Sequence, residues 1–169
     1  MTPIGIMQVT DTLALGGLER VAVNLANCLP RDEYRSYLCA TRAEGPLKEM
    51  IAPGVKQLFL GRTGRLDLDA ARRLARYLEE NDIQILHAHG TSLFISALAT
   101  LFGSGTRLIW HDHFGRSGTE ERPRWIYRLA ASRVSGVIAV NNVLADWSCR
   151  RLRIPSEHVW YVPNFVCEP

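Results

Sequence analysis

The sequence predicts an α/β domain in which a doubly wound, mainly parallel sheet of about seven strands carries helices on both faces. Three observations support this. Seven short β-like runs recur along the 169 residues, spaced so that one helix fits between successive runs. Several of these runs are continuously apolar rather than alternating, as strands buried on both sides are. The segments between them place apolar residues at helical spacing.

Each element follows in order. PIGIMQV (3–9) is the first strand, and after it Leu18, Val21, Ala22, Leu25, Cys28 and Leu29 form one helical stripe opposite Arg20, Asn24 and Asn27. Pro30 ends that helix. The second and third strands are YRSYLCAT (34–41) and VKQLFLG (55–61). Over 67–81, Leu74, Ala75 and Leu78 oppose Arg72, Arg73, Arg76, Glu79 and Glu80, the pattern of a surface helix. The fourth strand, IQILHAHG (83–90), leads into SLFISALATLF (92–102), which is apolar nearly all round and predicts a helix buried by further layers. RLIWHDHF (107–114) is the fifth strand, followed by a helix starting at Pro123. GVIAVNN (136–142), a helix over 142–153 that stops before Pro155, and VWYVPN (159–164) complete the chain.

Composition bounds the function classes. The chain is 47% hydrophobic and 22% charged, that of an ordinary globular domain with a real core. No apolar stretch approaches the roughly 18–20 residues of a bilayer span, and the first residues lack the basic-then-apolar pattern of a leader. A cytoplasmic chain is expected. Its four cysteines, Cys28, Cys39, Cys149 and Cys167, have neither a zinc spacing nor a disulfide framework. A net charge of +3 is too small to imply nucleic acid, although arginine far outnumbers lysine and clusters late in the chain.

In a doubly wound sheet, ligands gather beyond the carboxyl ends of the strands. Three features fall at that rim. Gly16 and Gly17 follow the first strand and open a helix, offering bare backbone and N–H groups as a seat for a diphosphate. The alternative is a tight strand-to-helix turn, because neither G-x-G-x-x-G nor G-K-[ST] is present. That absence disfavours a nicotinamide dehydrogenase or a P-loop enzyme.

His87, His89, His111 and His113, four of five histidines, end the fourth and fifth strands. Residues two apart on a strand face the same side, so each pair presents two imidazoles together. Such a group suits a metal centre, with Asp112 adding oxygen, as in a metal-dependent hydrolase. Hydrogen bonding around a polyhydroxylated ligand suits it better, since few further carboxylates end neighbouring strands, and His87 itself reads as a core histidine. The third feature is GRSGTEERPRWIYRLAASR (115–133), where Arg116, Arg122, Arg124, Arg128 and Arg133 interleave with Trp125 and Tyr127. Anionic lipid headgroups would fit it, as would a plain solvated helix face with Trp125 as packing. WSCRRLR (147–153) adds charge to the same account.

The ordered set GGLERVAVNLA, DIQILHAHGTS, LIWHDHFGRSG, GVIAVNN and YVPNF resembles the N-terminal domain of family 4 glycosyltransferases, retaining enzymes of GT-B fold. The resemblance covers essentially the whole chain. It implies a Rossmann-like acceptor-side domain over 1–163, with 164–169 beginning the connection to a donor-binding C-terminal domain. It implies His89 as the catalytic residue beside the transferred sugar. Gly16, Gly17, Arg20, His111, Asp112 and His113 are implied to line the substrate cleft, with the glycines near the donor phosphates. The implied activity is transfer of a hexose-type sugar from a nucleotide-diphosphate sugar, bound mainly by the other domain, to a glycan or lipid-linked acceptor in cell-envelope polysaccharide assembly. No cofactor, metal or nucleic acid is implied, contact with anionic membrane is, and this half alone is expected to be inactive. Asn164-Phe165-Val166-Cys167 departs from the Asn-Gly-Val-Asp that family members often carry there. The different-class alternative is a stand-alone binding or membrane-docking subunit of a split enzyme.

Overall fold

A computed structural model of the chain describes residues 2–64, 66–103, 105–114 and 122–163. Seven strands and five α-helices are present among them: β1 (Ile4–Thr12), α1 (Gly17–Cys28), β2 (Tyr34–Ala43), β3 (Lys56–Phe59), α2 (Leu68–Glu80), β4 (Ile85–His89), α3 (Leu93–Ala99), β5 (Arg107–Asp112), α4 (Arg124–Ala131), β6 (Val134–Ala139), α5 (Asn142–Leu152) and β7 (Val159–Tyr161). The strands form one sheet in the order β3-β2-β1-β4-β5-β6-β7, and every pairing is parallel.

The order reverses between β1 and β4, which makes that gap the switch point of the sheet. Right-handed crossovers running in opposite directions place their helices on opposite faces. The packing follows. On one face Val23 and Ala26 of α1 lie against Leu38 and Ala40 of β2. On the other, Leu74 and Leu78 of α2, Leu93 and Ala97 of α3, Tyr127 and Ala130 of α4 and Leu152 of α5 cover Met7, Val9, Leu86, Ala88, Leu108, Trp110 and Val137. Because β4 and β5 alternate, the residues between these core positions point to the α1 face. They include His87, His89 and His111.

Local chemistry sets the boundaries. Asp67 Oδ1 accepts from the Ala70 N–H at 2.9 Å and Asn141 Oδ1 from the Leu144 N–H at 2.9 Å, capping α2 and α5. The apolar run 92–102 is not one long helix. Seven residues of α3 are flanked by short 3-10 turns over Gly90–Ser92 and Thr100–Phe102, and Gly103 stops the run at φ 93°. Its end is not buried either: Leu101 is exposed, and Phe102 lies beneath the Arg72 guanidinium at 5.1 Å. A 3-10 turn over Pro46–Met50, absent from the sequence prediction, tucks Leu47 under α1.

Candidate functional site

The site is built where β1, β4 and β5 end. β1 runs into Thr12, and the chain turns at Ala14–Gly16 into α1, which starts at Gly17 without a side-chain cap. Neither glycine is in the left-handed region. Gly16 is extended, and its Cβ position is filled by the Glu19 carboxylate, which accepts from the Thr12 hydroxyl at 3.3 Å; Gly17 faces open space. Room alone does not demand glycine at either position, since Gly17 is open and Gly16 meets only the end of the flexible Glu19 side chain. Arg20 is exposed on the same first turn.

The corner and the β4 tip touch. Gly90, at φ +56°, would place a Cβ 2.7 Å from Leu18 Cδ1, so a side chain is excluded there by backbone conformation and by the start of α1. The Gly90 carbonyl accepts from Trp110 Nε1 at 3.0 Å, and Ser92 Oγ donates to Val9 O at 2.7 Å, locking β4 onto β1 and β5.

Four imidazoles stand together on the α1 face. His89 and His111 are register partners, with ring centroids 5.2 Å apart. His87 stacks parallel to His111 at 5.2 Å, and His113 lies 3.9 Å from His111. His87, His89 and His111 are only 8%, 1% and 3% exposed. His89 Nε2 is 2.9 Å from Gln8 Oε1 on β1, and its Nδ1 is 2.9 Å from His113 Nε2. His87 Nε2 and both ring nitrogens of His111 have no hydrogen-bond partner among the described residues. Burial, reinforced by neighbouring imidazoles, pushes His87 down to about 3 and His111 to about 2, and holds His89 well below its usual value. These three rings are neutral at physiological pH, each with one N–H and one lone pair to offer.

The predicted residues divide. Gly16, Gly17, His89, His111 and His113 meet at one rim, with Arg20 beside them. Asp112 does not point there. One residue past His111, it faces the helix-covered side, where its carboxylate takes Arg122 Nη1 at 2.7 Å and Nη2 at 3.2 Å in a buried ion pair. It also accepts from the Phe114 N–H at 3.3 Å.

Two groups escaped the sequence reading. Gln8 was signalled only as a lone amide inside an apolar strand. Asp11 accepts from Thr41 Oγ1 at 2.7 Å, Arg62 Nη2 at 2.6 Å and Thr91 Oγ1 at 2.6 Å, joining the ends of β2, β1 and β4. Burial alone would raise the Asp11 carboxyl, but these hydrogen bonds and the Arg62 charge outweigh it and hold it low.

The arginine and aromatic segment also divides. Arg122 is spent on Asp112, Arg133 bonds Thr100, and Tyr127 is buried beside Phe94, Trp110 and Trp147. Trp125 is not packing. It is 71% exposed on α4, with Leu129 at 70% one turn on and Arg124 and Arg128 exposed between. Arg116 and the 164–169 connection lie outside the described residues. Among the described residues no helix is long and apolar enough to cross a membrane.

A doubly wound parallel sheet with its polar cluster at the switch point defines a Rossmann-like domain. Residues 15–167 match the family described as Glycosyltransferase Family 4, and the chain belongs to that family. No curated protein matches the sequence. Among solved structures, a glycosyltransferase from Rickettsia africae aligns with TM-score 0.74 at 15% identity, over 96% of this chain and 43% of its own. Anabaena Alr3699/HepE, solved with UDP and glucose, aligns with TM-score 0.73 at 17% identity, over 95% and 44%. Acinetobacter baumannii MurG aligns with TM-score 0.64 at 13% identity, over 98% and 47%. The chain thus spans a little under half the length of these structures.

Proposed function

We propose that this chain is the acceptor-side half of a retaining glycosyltransferase, which moves a hexose-type sugar from a nucleotide-diphosphate sugar to a glycan or lipid-linked acceptor. One observation carries the reading: in a family 4 chain, the neutral His89 imidazole stands at the switch point beside Gly90, whose backbone abuts Leu18 at the start of α1, just past Gly16 and Gly17. A neutral ring hydrogen-bonds a sugar hydroxyl without adding charge, and here His89 does so by exchanging its His113 partner for the hydroxyl. Gln8 and His113 hold it in place, while the start of α1 offers N–H groups toward a departing diphosphate. Anabaena Alr3699/HepE has also been solved with UDP-glucose, which supports a donor of that class.

The base and most of the sugar fall to a second domain reached through 164–169. Rate in such an enzyme comes from holding donor and acceptor in one geometry, so this half alone does not turn over. The exposed Trp125 and Leu129, flanked by Arg124 and Arg128, favour peripheral attachment to an anionic membrane on the cytoplasmic side. Attachment of that kind weakens with salt and requires anionic lipid in liposome co-sedimentation.

The test is the polypeptide of the whole reading frame, offered a panel of nucleotide sugars with glycan and lipid-linked acceptors. Transfer with retained anomeric configuration, lost on His89→Ala, is expected. Neither transfer nor slow donor hydrolysis from any sugar overturns the reading.

A further inference from the structure

We propose that His87, His89 and His111 form a binding site for one late first-row divalent ion of the zinc class, at the tips of β4 and β5. Strand parity puts all three on the same face, and the His89–His111 register pairing holds the two strands' rings level. One ring nitrogen from each lies within 4.8 Å of the others. Unpaired polar atoms at such depth are costly, about 1–3 kcal/mol each, and here His87 Nε2 and both nitrogens of His111 are unpaired among the described residues. Coordination satisfies lone pairs that no donor among them reaches.

The donor set chooses the ion. Asp112, the adjacent carboxylate, faces the opposite side and is bound by Arg122, so the cluster offers nitrogen alone. Imidazole without carboxylate suits zinc, copper, nickel and cobalt, and does not suit magnesium or calcium. Zinc–nitrogen bonds of 2.0–2.1 Å put tetrahedral ligands about 3.4 Å apart, so the most widely spaced nitrogens close in by up to about 1.4 Å. His87 and His111 are parallel, and one of them turns about its ring bond to aim at the common point. His89 gives up one of its two hydrogen bonds. An ion held this way occupies the imidazole assigned above to a sugar hydroxyl, so it competes with substrate. The binding itself does not depend on the transferase reading.

The tag-free chain is titrated with Co²⁺ and then Zn²⁺. Expected are the visible bands of four-coordinate cobalt at one equivalent, bleached by zinc and indifferent to magnesium. His87→Gln and His111→Gln each weaken binding at least about 100-fold, whereas His158→Gln, at the exposed fifth histidine, changes nothing. Ring NMR of the unsubstituted chain needs no variant to fold: zinc shifts the His87, His89 and His111 signals first. Absence of saturable binding, an affinity unchanged in both variants, or shifts confined to His158 would overturn the site.

Discussion

Gln8 on β1 and His89 on β4 meet across the switch point, amide oxygen to Nε2, at 2.9 Å. With Gln8 accepting, the ring carries its proton on Nε2, and Nδ1 accepts from His113 Nε2–H. The pair fixes one tautomer. Gln8→Leu removes the acceptor from a buried N–H, and urea unfolding is expected to show a loss of about 1–3 kcal/mol. Nitrogen NMR should report a mixed tautomer at His89. In the whole enzyme kcat should fall more than KM rises.

Gly90→Ala meets two obstacles together, a left-handed φ and the Leu18 methyl. The conformational part costs about 1–2 kcal/mol. Adding Leu18→Ala relieves only the steric part, so the double-mutant cycle should return a coupling of about 0.5 kcal/mol or more. Perfect additivity would show that the contact carries no weight.

The buried imidazoles make stability fall on the acid side of neutrality. Their folded values lie below the usual 6.5, so the unfolded chain binds protons first as pH drops. Their full contribution is present above about 6.5 and is lost progressively toward the folded values, about 3 for His87 and about 2 for His111. Between pH 7.5 and 5 His87 and His111 should each cost about 2 kcal/mol in urea unfolding, with His89 adding in the same direction. His87→Gln should flatten that slope by roughly one ring's share.

Asp112→Asn leaves the Arg122 guanidinium buried without its counter-charge, although its faces still rest on Phe114, Tyr127 and Trp147. Breaking such a pair costs about 3–5 kcal/mol, read as a lower urea midpoint, and Asp112→Asn with Arg122→Met should recover part of it.

Fold and site were legible to different depths. The strands stood out because burial on both sides writes continuous apolar runs, and all seven predicted runs overlap the observed ones. The histidines were legible because parity alone groups 87 with 89 and 111 with 113. Asp112 shows the limit of that reasoning: adjacency in HDH sends it to the opposite face, where its partner is Arg122, ten residues away in sequence. Asp11 was hidden for the same reason, since Thr41, Arg62 and Thr91 reach it only through tertiary packing. The run 92–102 misled because apolarity signals burial without saying where a helix stops, and Gly103 decided that. Trp125 was left open between a lipid-facing and a packing role, and the α4 register decides it by turning the ring outward.

Asp11 gathers hydrogen bonds from residues at the ends of β2 and β4 and from Arg62 just past β3, all before any ligand arrives. Neighbouring strand tips are therefore kept at set spacings by folding itself. A rim so braced enters an encounter already shaped, and whatever docks on it need not spend affinity on ordering the wall it meets.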